Sequence, residues 1–185
     1  MQRIWTLGHS TRSLDDFVEV LRHHDVRQIA DVRAYPGSRR HPHFGREALQ
    51  QALSARGLVY AWMPGLGGRR RATADSQANK GWRVEAFRAY ADYMATESFQ
   101  AALNDLEVWA RAQNTAYMCA EAVHFRCHRW LISDALVARG WSVLHLASTQ
   151  VAKAHVLTDF AQVDSSRRLT YPGQGALPWH DEEGF

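Results

Sequence analysis

Five short apolar runs, separated by segments of helical periodicity, restrict this chain to a small set of folds. "RIWTL" ends at Gly8, and the following "SLDDFVEVLRHH" puts Leu14, Phe17, Val18 and Leu21 on one helical face, with Ser13 and Asp16 spaced as a capping box. "RQIADVRA" is the second strand, "REALQQALSARG" a helix closed by Gly57, and "LVYAWM" a third strand entering "PGLGG". Residues 84–113 read as two helices, with Ser98 as the expected cap between them. "TAYMCA" is the fourth strand, "HRWLISDALVARG" a helix with Trp130, Leu131, Ala135 and Leu136 inward, and "WSVLHLA" the fifth strand. The order β-α-β-α-β-α-α-β-α-β predicts an α/β fold: a three-layer domain with a mostly parallel central sheet of about five strands and helices on both faces.

A chain of 185 residues that is 46% hydrophobic has the material for one core, so a single domain over residues 1–185 is expected. Beyond Ser148 the periodicity weakens. Residues 149–185 are expected as a C-terminal extension packing on the domain, with one or two helical turns in "VAKAHVLTDFAQ" and an extended tail in "YPGQGALPWHDEEGF". No run approaches the roughly 18 apolar residues of a membrane span, and "MQRIWTLGHS" lacks the apolar region of a secretory signal. No membrane partner is expected, and the expected location is cytoplasmic, where Cys119 and Cys127 would be thiols. The sequence carries no signal for an oligomeric state.

In open parallel sheets, ligands bind beyond the carboxyl ends of the strands, near a topological switch point. Those ends carry His9 and Ser10 after the first strand, Asp31 and Arg33 at the second, Gly67 and Gly68 after the third, and Cys119 and Glu121 at the fourth. Asp31 and Arg33, two apart on a strand, project to one side and are expected to pair. Ser38, in the segment "RAYPGSRRHPHFGR", joins the expected anion contacts. The densest chemistry is "CAEAVHFRCHR". If the strand ends near Glu121 and the helix starts near Cys127, the junction offers N–H groups and the positive end of a helix to an anion, reinforced by Arg126, His128 and Arg129. Cys127 would then be the acidified, reactive thiol and Cys119 a shielded strand residue. Glu121 is the expected acid, base or nucleophile; its alternative is a salt bridge to Arg129 or Arg33.

Other chemistries fit less well. A zinc site from Cys119, His124, Cys127 and His128 suffers because Cys127 and His128, adjacent on a starting helix, would point about 100° apart. The zinc-deaminase, P-loop and dinucleotide patterns are absent, so neither metal nor cofactor is expected. Six residues separate Cys119 from Arg126 where the phosphatase loop has five, and the loop has no glycine. Such phosphatase- or rhodanese-like cysteine chemistry remains an alternative. "HPH" at residues 41–43 reads as a loop stiffened by Pro42. Charge supplies the competitor from another class. Residues 1–83 hold 14 Lys and Arg against 7 Asp and Glu, and 20 of the 22 basic residues are arginine. The arginine loops 33–46 and 69–83, with Tyr35, Phe44 and Trp82 for stacking, would suit a non-catalytic nucleic-acid-binding module.

Four motifs in order, "TLGHSTRS", "DVRAYPGSRRHPHF", "GLVYAWMPGLGG" and "CAEAVHFRCHR", resemble the bacterial family catalogued as domain of unknown function 488. The likeness spreads over residues 4 to about 145, and His155–Thr158 and Thr170–Pro172 resemble the family's tail. It implies an α/β fold and leaves the function to be argued from the residues. They point to an enzyme, a transferase or hydrolase, acting on a small anionic or nucleotide-like ligand at the strand ends.

Overall fold

The computed structural model describes residues 2–37, 40–71 and 78–172. Five parallel strands form as the periodicity predicts: β1 (Arg3–Gly8), β2 (Gln28–Asp31), β3 (Val59–Trp62), β4 (Thr115–Cys119) and β5 (Ser142–His145). Five helices connect them: α1 (Leu14–His23), α2 (Arg46–Ser54), α3 (Glu85–Met94), α4 (Glu97–Ala112) and α5 (Arg129–Ala138). The sheet gains a sixth strand, β6 (Lys153–Ala154), antiparallel to β5, and its order is β3-β2-β4-β1-β5-β6. A separate two-stranded ribbon pairs β7 (Gln162–Val163) with β8 (Leu169–Thr170). The helical turns expected after Ser148 are thus replaced by short strands. No helix among the described residues is long and apolar enough to cross a membrane.

The alternation of side chains along each strand sorts the helices to the two faces. Trp5 and Leu7 of β1, Ile29 of β2, and Ala116 and Met118 of β4 pack with Phe17, Leu21, Leu49 and Leu53 of α1 and α2. The intervening Ile4, Ala30 and Tyr117 join the opposite core with Phe87, Phe99, Leu106 and Leu131 of α3, α4 and α5. Ser13 caps α1 through the Asp16 N–H at 3.1 Å, as its spacing predicts. The cap of α4 is Thr96, whose hydroxyl accepts from the Phe99 N–H, rather than Ser98 two residues on.

The strand order also fixes where a ligand can sit. β1 leads through α1 across β4 to β2, whereas β4 leads through α5 across β1 to β5. The two crossovers leave neighbouring strands in opposite directions and on opposite faces. Between the carboxyl ends of β1 and β4, where Gly8 lies beside Cys119, neither helix covers the edge.

The segment after β5 is tied to α5 by a buried acid. Asp134 Oδ1 accepts from the Thr158 N–H at 3.0 Å and His155 Nε2 at 2.8 Å, and Oδ2 accepts from the Thr158 hydroxyl at 2.7 Å and the Tyr171 hydroxyl at 3.0 Å.

Candidate functional site

At the switch point the chain is pressed close. A Cβ on Gly8 would stand 1.7 Å from the Glu121 carbonyl oxygen, so only glycine lets β1 pass beneath the segment that follows β4. The main chain then runs on in step: the His9 N–H bonds to the Cys119 carbonyl and the Ser10 N–H to that of Ala120. A cleft of about 1020 Å³ opens above this junction. His9 and Ser10 line it just after β1, Arg33 just after β2, Gly68 from the loop after β3, Cys119 from the end of β4, and Glu121, Arg126, Cys127 and His128 from the β4–α5 connection. A second hollow of about 620 Å³ lies over α1, lined by Asp15, Asp16, Glu19, Arg22 and Arg56 among others, and holds neither cysteine nor a strand end.

Three expected contacts lie behind the cleft wall. Asp31 is fully buried and pairs with Arg33 through Nε at 2.8 Å and Nη2 at 2.6 Å, as their spacing predicts, and it also accepts from the Tyr60 hydroxyl. Gly67 is packed on Ala34, where a Cβ would stand 2.8 Å from the Ala34 Cα. Arg129 is 1% exposed; it donates to the Thr6 hydroxyl at 3.1 Å and to the Glu121 carbonyl at 2.6 Å. These bonds clamp the loop from inside. Ser38 lies outside the described residues, as do residues 72–77 of the second arginine loop.

Arg33 is largely consumed as well. Its Nη2 also donates to the Phe44 carbonyl at 2.9 Å, and only Nη1 turns toward His9 Nε2, at 3.3 Å. Burial opposes its charge, but the Asp31 pair outweighs burial and raises its pKa. His9 stacks on Phe44 at 4.1 Å, and burial, with the Arg33 charge added, lowers its pKa to about 4. It is a neutral imidazole whose Nδ1–H goes to the Ser10 carbonyl at 2.9 Å.

The β4–α5 connection departs from expectation. β4 ends at Cys119, a 3-10 turn follows at His124–Arg126, and α5 begins at Arg129. Cys127 therefore precedes the helix, in extended backbone (φ −130°, ψ 147°). The N–H groups of Val123, Arg126 and Cys127 are bonded within the loop. Exposure is the reverse of that expected: Cys127 is buried and Cys119 only half-buried. The Cys119 thiol is pushed up to about 12, first because its S–H is held by Cys127 and then by burial. Cys127 moves down to about 6, since the bond from Cys119 favours its thiolate by more than burial opposes it, with Arg129 adding attraction. The cause is thus the neighbouring thiol before any helix end. His128 bridges a thiol and the main chain: Nδ1 lies 3.5 Å from Cys127 Sγ and Nε2 lies 3.0 Å from the Val32 carbonyl.

Glu121 is exposed, and its carboxylate accepts from the Val123 N–H at 3.1 Å. The salt bridges considered for it do not form, because Arg129 takes its main-chain oxygen and Arg33 pairs with Asp31. His124 leaves the thiols altogether and stacks on His145 at 3.8 Å and on Trp130 at 5.4 Å. Phe44 and Trp82 are fully buried core rings, which removes them as stacking platforms; Tyr35 alone of the three is exposed.

Sequence reasoning missed Tyr35, Arg40, His41 and Arg69 as lining residues of this cleft. Their only signal was the cluster of arginine and histidine in loops beside strand ends two and three.

No curated protein and no solved structure matches the chain. The family model described as "Domain of unknown function DUF488" matches residues 13–136, more than half of the chain. The match takes in the second, third and fourth motifs and most of α5, and stops short of His9 and Ser10 on one side and of β5 and the segment after it on the other. The chain belongs to the family defined by Domain of unknown function DUF488.

Proposed function

We propose that the protein is an enzyme acting on a small anionic substrate, of the phosphate-bearing or nucleotide-like kind, bound between the carboxyl ends of β1 and β4. One observation carries the reading. The switch-point cleft brings cationic Arg40, Arg69 and Arg126 around a floor of Cys119, Cys127, His128 and neutral His9, with Glu121 its single carboxylate among the described lining residues. Exposed arginines at a rim attract an anion and fix its phosphate, whereas the floor supplies groups able to attack, protonate or polarise. A nucleic-acid module would need several aromatic platforms beside its arginines, and of the three expected rings only Tyr35 is exposed, with Phe44 and Trp82 inside the core. Arg70 is occupied too, donating to the Gly65 and Gly67 carbonyls over the Tyr93 ring.

The test is thermal. Inorganic phosphate and a nucleoside monophosphate are expected to raise the Tm of the wild-type chain, by about 2.7 kcal/mol of added stability at a hundredfold excess over Kd. The double variant Arg69→Glu, Arg126→Glu is expected to lose that gain while melting normally without ligand, because both side chains are exposed. Equal stabilisation of both proteins overturns the anion site. Tight, steeply salt-dependent binding of a single-stranded oligonucleotide with no small-anion effect favours the nucleic-acid reading instead.

A further inference from the structure

A metal is disfavoured if Cys127 and His128 share a helix. They do not: α5 starts at Arg129, and the extended backbone of Cys127 turns its thiol toward the imidazole of the next residue. The ligand atoms of Cys119, Cys127 and His128 all lie within 4.8 Å of one another. Tetrahedral zinc, with bonds of about 2.3 Å to sulfur and about 2.0 Å to nitrogen, requires an S···N edge of about 3.5 Å. The Cys127 Sγ to His128 Nδ1 distance is 3.5 Å.

The imidazole is also prepared for the role. A backbone carbonyl can only accept, so the contact between His128 Nε2 and Val32 O places the ring proton on Nε2. Nδ1 is left with a bare lone pair aimed at the thiols. Holding one ring nitrogen by a carbonyl so that the other faces the ion is how proteins orient ligating histidines. The ring cannot swing away: Tyr90 packs on it at 5.3 Å, and Gly68 closes the other approach, where a Cβ would stand 2.4 Å from Nδ1.

We propose that Cys119, Cys127 and His128 bind one zinc ion, with its fourth position opening into the switch-point cleft. Two thiolates and an imidazole form a soft donor set that suits zinc over magnesium or calcium. Three protein ligands with one open position are the pattern of catalytic zinc sites, whereas structural sites close the fourth. Because Cys119, Cys127 and His128 line the cleft, the ligand class at the fourth position is water or an oxygen of the anionic substrate. The inference goes beyond the proposed function: ion binding depends on three side chains, whether or not the arginine rim holds an anion.

The experiment uses the untagged, reduced, full-length chain, stripped with chelator and titrated with Co²⁺ and, separately, Zn²⁺. One equivalent of Co²⁺ is expected to give tetrahedral d–d absorption and a sulfur-to-cobalt charge-transfer band, and equilibrium dialysis is expected to retain one Zn²⁺ per chain. Cys119→Ser and Cys127→Ser are near-isosteric, and each is expected to lose roughly a hundredfold or more in affinity. His23→Ala, an exposed histidine on α1, is expected to change nothing. Should Cys127→Ser fail to fold, Cys119→Ser, at the half-buried position, carries the decision together with loss of the charge-transfer band. A reduced wild-type chain that retains no stoichiometric zinc, or serine variants that bind as tightly as wild type, overturn the site. Repeating the phosphate melt on the stripped chain separates the two proposals. A phosphate effect without zinc retention leaves the anion cleft standing, and zinc retention without a phosphate effect leaves only the metal site.

Discussion

Gly8 is the position at which one methyl group does most damage. A Cβ there meets the Glu121 carbonyl carbon and oxygen and the Ala122 Cα, all main chain, so no side-chain rotation relieves the clash. Gly8→Ala is expected to cost ~3 kcal/mol or more, read as a lower denaturant midpoint at unchanged slope. The same closeness explains why Arg129, expected as a ligand contact, became a strut: its guanidinium bonds the Glu121 carbonyl and the Thr6 hydroxyl from inside. Which arginine faces solvent is a three-dimensional property. Arg126 and Arg129 are equally basic in the sequence, and only the start of α5 between them turns one outward and the other into the core.

At the scale of elements, strands and helices were legible because their periodicities are local. The connection between β4 and α5 was not, since a 3-10 turn of three residues leaves no repeating pattern, and it moved Cys127 off the helix. Thr96 and Ser98 illustrate a smaller ambiguity, with two hydroxyl residues two apart and only one placed to accept from the N–H three residues on. The segment after β5 hid its anchors for the same reason. Asp134 on α5 satisfies donors from His155, Thr158 and Tyr171 that lie far apart in sequence. Asp134→Asn puts an amide NH₂ where two of those donors need an acceptor, and is expected to lose ~3 kcal/mol. Urea denaturation of the variant checks this; a midpoint within error of wild type contradicts the anchoring role.

Across the whole molecule, acid should act through three imidazoles that burial keeps neutral, His9, His124 and His145, the last of them shifted furthest. Because Asp134 only accepts, His155 carries its proton on Nε2 and takes the His145 Nε2–H on Nδ1 at 2.9 Å. His145 Nδ1 is buried with no partner among the described residues. Burial first, then the facing His124, His155, Arg129 and Lys153, lowers the His145 pKa to about 2. The unfolded chain binds this proton near pH 6.5 and the folded chain does not, so stability is retained above about pH 6.5 and falls as pH drops below it. The slope from His145 alone is up to about 1.4 kcal/mol per pH unit, and His9 and His124 add to it. Melts at pH 7 and pH 5.5, above the range in which most carboxylates titrate, are expected to show a loss that His145→Gln reduces; identical losses in both proteins contradict it. The outer side of the same strand bears on behaviour at high concentration. Had the sheet stopped at β5, the N–H and C=O groups along Ser142–His145 would have been a template for edge-to-edge aggregation. β6 pairs with Leu144 and His145, and the His155 N–H takes the Val143 carbonyl. What reaches the rim is a strand of two exposed residues, one of them Lys153, too short and too charged to recruit another chain. Resistance to aggregation along this side of the sheet is thus a property of the backbone pairing of two residues, which a proline at Lys153, whose N–H faces His145, would weaken where one at Ala154, whose N–H faces outward, would not.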